Sequence, residues 1–256
     1  QTLIFTHSDV PALNQLMLPF LSLVTESELK RNPTVKAELE DSGRPMSGLM
    51  LTYPVHQAAD ILFGKANLVP VGKDQVPHIE MCRVIARRFD ERYGRANPDQ
   101  PVFPLADALL SEGAVMILGT DGTKMSKTKG NVIELGMSAD ETARALKRAV
   151  TDADRQITFD PESRPGVSNL LSIAGLCLDR DPRAIAEEIG DGGAGALKKL
   201  VTEGLNERLR EHRARRETIA EDLGYLRSVL VAGNQRANEI AETTLAEVRT
   251  AMKMAY

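Results

Sequence analysis

Along the first half of the chain, short apolar runs alternate with stretches of helical spacing; beyond residue 138 almost only helical spacing remains. Thr2–Thr6 reads as a strand, and Asn67–Val71 as a second that ends at Gly72. Ala114–Leu118 reads as a third, followed by a glycine- and lysine-rich loop over Gly119–Asn131. Helices are expected after Pro11, with Leu13, Leu16, Met17 and Phe20 inward, and over Ser47–Phe63 despite Pro54. Asp74–Phe89 is amphipathic. Two capping boxes, Thr25 with Glu28 and Ser138 with Glu141, mark helix starts. The second half predicts helices over 143–150, 167–178, 181–189, 197–230 and 235–254, with a break at Gly204 or Gly224. An α/β domain followed by a helical domain, divided near residues 131–138, is the expected class.

Composition narrows the classes. Hydrophobic residues are 42% and charged residues 27% of 256, the balance of an ordinary globular chain. No apolar run reaches the roughly 18 residues of a membrane helix. Two cysteines, Cys82 and Cys177, make no disulfide framework and no C-x-x-C pair, which suits a reducing cytosol. Net charge is −4 and aromatic content 4% with no Trp, so a nucleic-acid coat or a platform of stacked bases is disfavoured. The chain begins at Gln1, within an apparent strand, and further sequence upstream is expected.

Three clusters carry candidate chemistry. Lys124-Met125-Ser126-Lys127-Thr128 places flexible point charges and a hydroxyl in a glycine-permissive loop, a combination suited to polyphosphate. A solvated basic loop is the plain alternative, and the spacing is not that of a Walker A loop. Tyr53, Gln57 and Asp60 fall at i, i+4 and i+7 on an apolar helix and share one face. That face is either a binding wall or a helix whose Asp60, expected to be partly buried, pairs with a neighbour. Val69-Pro-Val71-Gly72-Lys-Asp74-Gln75 joins a strand end to a helix start, where anions and ligands gather in parallel sheets; an ordinary turn with Asp74 as cap is the alternative.

Other patterns carry less. Gly190–Gly195 matches a dinucleotide-binding spacing but follows a helix, so it reads as a hinge. His7, His56, His78 and His212 show no metal-ligand spacing, and no metal site is expected. Arg208, Arg210, Arg213, Arg215 and Arg216 pair with Glu207 and Glu211 at helical spacing, a solvated face or a phosphate-binding one.

Taken together and in order, Tyr53-Pro-x-x-Gln-Ala-Ala-Asp60, Val69-Pro-Val-Gly-x-Asp-Gln75 with His78 and Glu80, and Lys124–Thr128 resemble the tryptophanyl-tRNA synthetases. The likeness continues through Ala149–Asp152 and Arg164–Leu171. It implies an α/β fold: a Rossmann-like catalytic domain over 1–135, without its first strand–loop–helix, and a helical anticodon-binding domain over 136–256. It implies a cytoplasmic homodimer that joins L-tryptophan to ATP, with Mg²⁺ arriving on the nucleotide, and passes the amino acid to tRNA(Trp). By resemblance, Lys124, Ser126 and Lys127 hold the departing pyrophosphate. Gly72, Asp74, Met116, Met125 and Lys36 lie near ATP. Tyr53, Gln57, Asp60, Val69, Val71 and Gln75 form the tryptophan pocket, with Asp60 accepting the indole N–H. Thr128 replaces the usual final Ser of the loop signature, and Gln57 stands where many bacterial relatives carry Met. The family's HIGH-type motif is missing from the chain, so a non-catalytic tRNA-binding or interaction protein derived from such an enzyme is the competing expectation.

Overall fold

The computed structural model describes residues 2–43, 45–94, 101–110 and 117–254. Ten α-helices and two short strands are described, in the order α1 (Ala12–Leu21), α2 (Glu26–Arg31), α3 (Pro33–Ser42), α4 (Gly48–Leu62), β1 (Leu68–Pro70), α5 (Val76–Tyr93), β2 (Asp107–Leu109), α6 (Ala139–Lys147), α7 (Pro165–Leu178), α8 (Pro182–Ile189), α9 (Gly193–Glu221) and α10 (Leu223–Ala251). Local chemistry explains most boundaries. Both expected capping boxes form, at Thr25–Glu28 and Ser138–Glu141. The Ser47 hydroxyl caps α4 by accepting from the Met50 N–H, and Asp181 caps α8 from the Arg183 N–H. β1 and β2 pair in parallel, Val69 opposite Ala108, which is the crossover geometry of an α/β sheet with α5 as the connecting helix.

Contacts divide the chain into two units, Gln1–Ala114 with Gly224–Tyr256, and Val115–Leu223. In the first, α1, α4 and α5 enclose Leu13, Leu16, Phe20, Val55, Leu62, Ile79, Ile85 and Phe89. Phe20, Phe89 and Phe103 stack edge to face with ring centroids 5.2–6.4 Å apart. α10 joins this core through Ala237, Ala241, Leu245 and Val248, one buried stripe of helical spacing. The second unit packs α6, α7, α8 and α9 around Leu146, Leu170, Leu171, Ile185, Leu197 and Val201.

Several expectations need correction. Thr2–Thr6 is not a strand. It lies against α10, where a Cβ on Gly233 would come within 1.7 Å of the Ile4 carbonyl oxygen. The Thr6 N–H donates to Asn234 Oδ1 at 2.8 Å, so a helix side chain replaces a strand partner. β2 lies in a stretch with no strand signal, since three residues are too few to show period-two alternation. Most of the expected strand Ala114–Leu118 lies outside the described residues; Leu118 bridges Lys124 in antiparallel fashion. Of the two expected breaks in the long helix, the one beside Gly224 occurs, at Asp222, and Gly204 lies within α9, where a Cβ would stand 3.2 Å from Leu178; α10 then runs without a break through 231–234. The compact units run across the expected division at 135/136: the described stretch from 117 groups with the helices that follow it, and α10 groups with the first unit.

Candidate active site

In the first unit, α4 presents Tyr53 and Gln57 to the turn that follows β1. The Tyr53 hydroxyl lies 3.3 Å from His78 Nε2, and His78 is buried, its Nδ1 3.4 Å from Asn32 Nδ2. Gln57 Nε2 donates to Gln75 Oε1 at 3.3 Å, and Gln75 Nε2 donates to Asp74 Oδ2 at 3.2 Å. The Thr34 hydroxyl closes the chain by donating to the Asp74 carbonyl at 3.0 Å. Gly72 leaves room for the Asp74 carboxylate: a Cβ would stand 2.7 Å from Asp74 Oδ1, which would have to turn aside. Val69 and Val71 are half-buried on the inner side of the strand, between exposed Leu68, Pro70 and Gly72.

Two details differ from expectation. Asp74 does not cap α5; it sits in a 3₁₀ turn over Lys73–Gln75, and the helix starts at Val76 with Pro77 in its first turn. Asp60 is exposed, its side chain 41% accessible, with Oδ1 2.9 Å from His7 Nε2. The α4 face therefore has two ends: Tyr53 and Gln57 joined to the β1–α5 turn, and Asp60 joined to the segment before α1. Lys36 is exposed on α3, and Met116 lies outside the described residues.

In the second unit the lysine loop is organised from inside by Asn131, which is 3% exposed. Its Oδ1 accepts the Ser126 N–H at 2.8 Å. Its Nδ2 donates to Asp121 Oδ1 at 2.8 Å, Lys124 O at 3.1 Å and Thr123 Oγ1 at 3.3 Å. These four bonds fix both strands of the loop around one amide. The Asn131 amide also holds the Asp121 carboxyl below the usual carboxylate range, with the Thr123 N–H adding to it. Gly119 makes the arrangement possible, because a Cβ there would meet Asn131 Nδ2 at 2.3 Å. Asn169, from the Pro-Gly-Val-Ser-Asn run, clamps Leu118 on both sides, accepting its N–H at 2.8 Å and donating to its carbonyl at 3.1 Å. Gly166 of the same run lets the Val150 carbonyl approach α7. With the backbone so held, Lys124 and Lys127 remain exposed, Met125 is half-buried and the Ser126 and Thr128 hydroxyls are 2.7 Å apart.

The sequence reading omitted Asn131, Asn169, Asn32, Thr34 and His7 as site residues. The Asp121-Gly122 turn next to a lysine run was a usable signal for Asn131. Nothing local marks His7, which meets Asp60 across 53 residues.

Comparison with known proteins decides the family. Residues 1–210 match the family model of tRNA synthetases class I (W and Y). The chain belongs to this family. It is 36% identical over 260 residues to the tryptophan–tRNA ligase of Clostridium longisporum, covering 99% of this chain and 75% of that one. The corresponding ligase of Streptococcus pyogenes serotype M1 is 38% identical over 264 residues, covering 100% and 77%. Among solved structures, tryptophanyl-tRNA synthetase from Campylobacter jejuni, complexed with ADP and tryptophan, superposes with a TM-score of 0.76 at 28% identity, over 97% of this chain and 76% of that one. A tyrosyl-tRNA synthetase from Archaeoglobus fulgidus, 23% identical with a TM-score of 0.54, shares the fold. The α/β class with a parallel sheet and a large helical part is that of the class I enzymes. Among the described residues no helix is long and apolar enough to cross a membrane.

Proposed function

We propose that this chain catalyses the ATP-dependent activation of L-tryptophan and its transfer to tRNA(Trp). The observation that carries this reading is the match of nearly the whole chain to ligases of that specificity. In the first step a tryptophan carboxylate oxygen attacks the α-phosphorus of ATP; the bond to the β-phosphate bridging oxygen breaks and pyrophosphate leaves. Lys124 and Lys127 neutralise the charge that grows on the leaving group, and Ser126 donates a hydrogen bond to it. The rigidity given by Asn131 supports this role, since a pre-positioned donor needs no reorganisation as charge develops. Mg²⁺ accompanies the nucleotide on phosphate oxygens and waters, as that ion usually does.

On the amino-acid side, Tyr53 and Gln75 bind the ammonium and carboxylate end, while Gln57, Val69 and Val71 flank the ring. Asp60 accepts the indole N–H; its side chain is 41% accessible, which supports that use because a ligand can reach the carboxylate. Gly72, Asp74, Lys36, Met116 and Met125 serve ATP. The helical part contacts the tRNA anticodon, and the enzyme works as a cytoplasmic homodimer. The test is tryptophan-dependent exchange of pyrophosphate into ATP, followed by charging of tRNA(Trp), with tyrosine as competitor. Exchange that tyrosine supports as well as tryptophan overturns the specificity.

A further inference from the structure

His7 and His56 have no part in the chemistry just proposed, yet both gather at Asp60. His7 Nε2 is 2.9 Å from Asp60 Oδ1, and the two imidazoles meet edge to face with centroids 4.6 Å apart. One ligand atom from each of the three residues lies within 4.8 Å of the other two. His56 and Asp60 stand four residues apart on α4 and so project from one side, one turn apart. His7 faces them from the turn before α1. Two imidazoles with one carboxylate form a donor set suited to divalent ions of the first transition series, and three such ligands leave a coordination position for water. The side chains of His7 and Asp60 are 39% and 41% accessible, so an ion can enter and keep that water. Tetrahedral zinc at about 2.0–2.2 Å from each ligand needs donors roughly 3.3–3.6 Å apart, and rotation of half-exposed side chains closes the remaining gap.

We infer that His7, His56 and Asp60 form a binding site for a divalent transition-metal ion such as Zn²⁺, and that the ion and tryptophan exclude one another because both use the Asp60 carboxylate. The second half rests on the reading of Asp60 as the indole acceptor. On binding, His7 offers its Nε2 lone pair with the proton on Nδ1, and the ion replaces the hydrogen bond that now joins His7 to Asp60. An otherwise open amino-acid pocket thereby becomes responsive to free metal.

The test uses tag-free protein stripped with EDTA. ZnCl₂ is titrated by calorimetry, and CoCl₂ by the visible bands of a coordinated ion. One equivalent is expected to bind, and His7→Gln and His56→Gln should each weaken it by about tenfold or more. His56→Gln should leave tryptophan affinity unchanged in metal-free buffer. Zinc at about ten times its own Kd should weaken tryptophan binding to the parent by about tenfold, and should do little to His56→Gln. No saturable zinc binding, or binding that His56→Gln leaves intact, overturns the site. Zinc that binds through these residues without touching tryptophan affinity supports the metal site and overturns the placement of Asp60 at the indole.

Discussion

The polar face of α4 and the lysine loop are built in opposite ways. The face is assembled from residues far apart in sequence: Tyr53 meets His78, Gln57 meets Gln75, and Asp60 meets His7. Each bond joins two elements that their own cores already hold, so the network is distributed. The loop takes its shape from residues 119–131, and four of its hydrogen bonds converge on the single Asn131 amide. A distributed network should lose function piecemeal, whereas a centralised one should fail when its hub is removed.

The largest effect should come from the loop's charge. Lys127→Ala is expected to lower kcat by about 10²–10³-fold with little change in tryptophan KM, the signature of an interaction made in the transition state. Steady-state pyrophosphate exchange measures both constants. An unchanged kcat would return the loop to a solvated basic segment.

Next in size is the face. Asp60→Ala should weaken tryptophan about ten- to a hundredfold, because a hydrogen bond to a charged acceptor contributes roughly 1.5–3 kcal/mol. ATP binding should hardly change. Calorimetry with tryptophan, and with an analogue lacking the indole N–H, separates loss of recognition from loss of fold. Retained tryptophan affinity in a less stable protein would make Asp60 a structural partner of His7.

The hub itself tests the comparison most directly. Asn131→Ala strands the donors and acceptors of both loop strands, at about 1–3 kcal/mol for a buried group left unpaired. The exchange rate should fall about tenfold or more, and trypsin should cut at Lys124 or Lys127 faster than in the parent. Gly119→Ala should reproduce both effects, since its Cβ and the Asn131 amide cannot share the same space. Thr34→Val, which removes one link at the edge of the distributed network, should change the rate less than about threefold. Equal effects at Thr34 and Asn131 would erase the distinction drawn between the two regions.

The same contrast governs what could be read in advance. Residues that act locally announce themselves: both capping boxes, the helical face of Tyr53, Gln57 and Asp60, and the turn at Gly72 follow from spacing alone. The resemblance supplied the roles. What stayed hidden depends on tertiary packing. Thr2–Thr6 has strand composition, but its backbone finds a helix side chain as partner. Asp60 looked buried because Ile61 and Leu62 beside it are, yet on a helix adjacent residues point about 100° apart. His7 carries no local signal, and its meeting with α4 is a property of the folded chain alone.

The smallest expected effect is on stability, and it sets the two units side by side. Each carries one carboxylate gripped by an arginine: Glu28 by Arg88 in the first, Asp152 by Arg164 in the second. Arg88 ties α5 back to α2, donating to both Glu28 oxygens at 2.6 and 3.1 Å and to the Leu23 carbonyl at 2.7 Å. The Glu28 carboxyl is held down at about 2, first by Arg88 and then by the N–H and hydroxyl of its own cap residue Thr25. Asp152 is lowered as well, chiefly by the Arg164 guanidinium. A carboxyl whose folded value lies below its unfolded one binds fewer protons in the folded state. Its stabilisation is therefore complete above the ordinary carboxylate range and fades as acid protonates it. For Glu28 that window runs from 4.5 down to about 2. Glu28→Gln keeps the size of the side chain and removes its charge, so at pH 7 it should melt about 2–4 °C below the parent. The gap should narrow through the acid window and close near its lower end, as followed by circular dichroism of both proteins at matched ionic strength. A gap that stays constant from pH 7 to pH 3 would mean that the cap geometry at Thr25, rather than the charge, fastens α2 to α5.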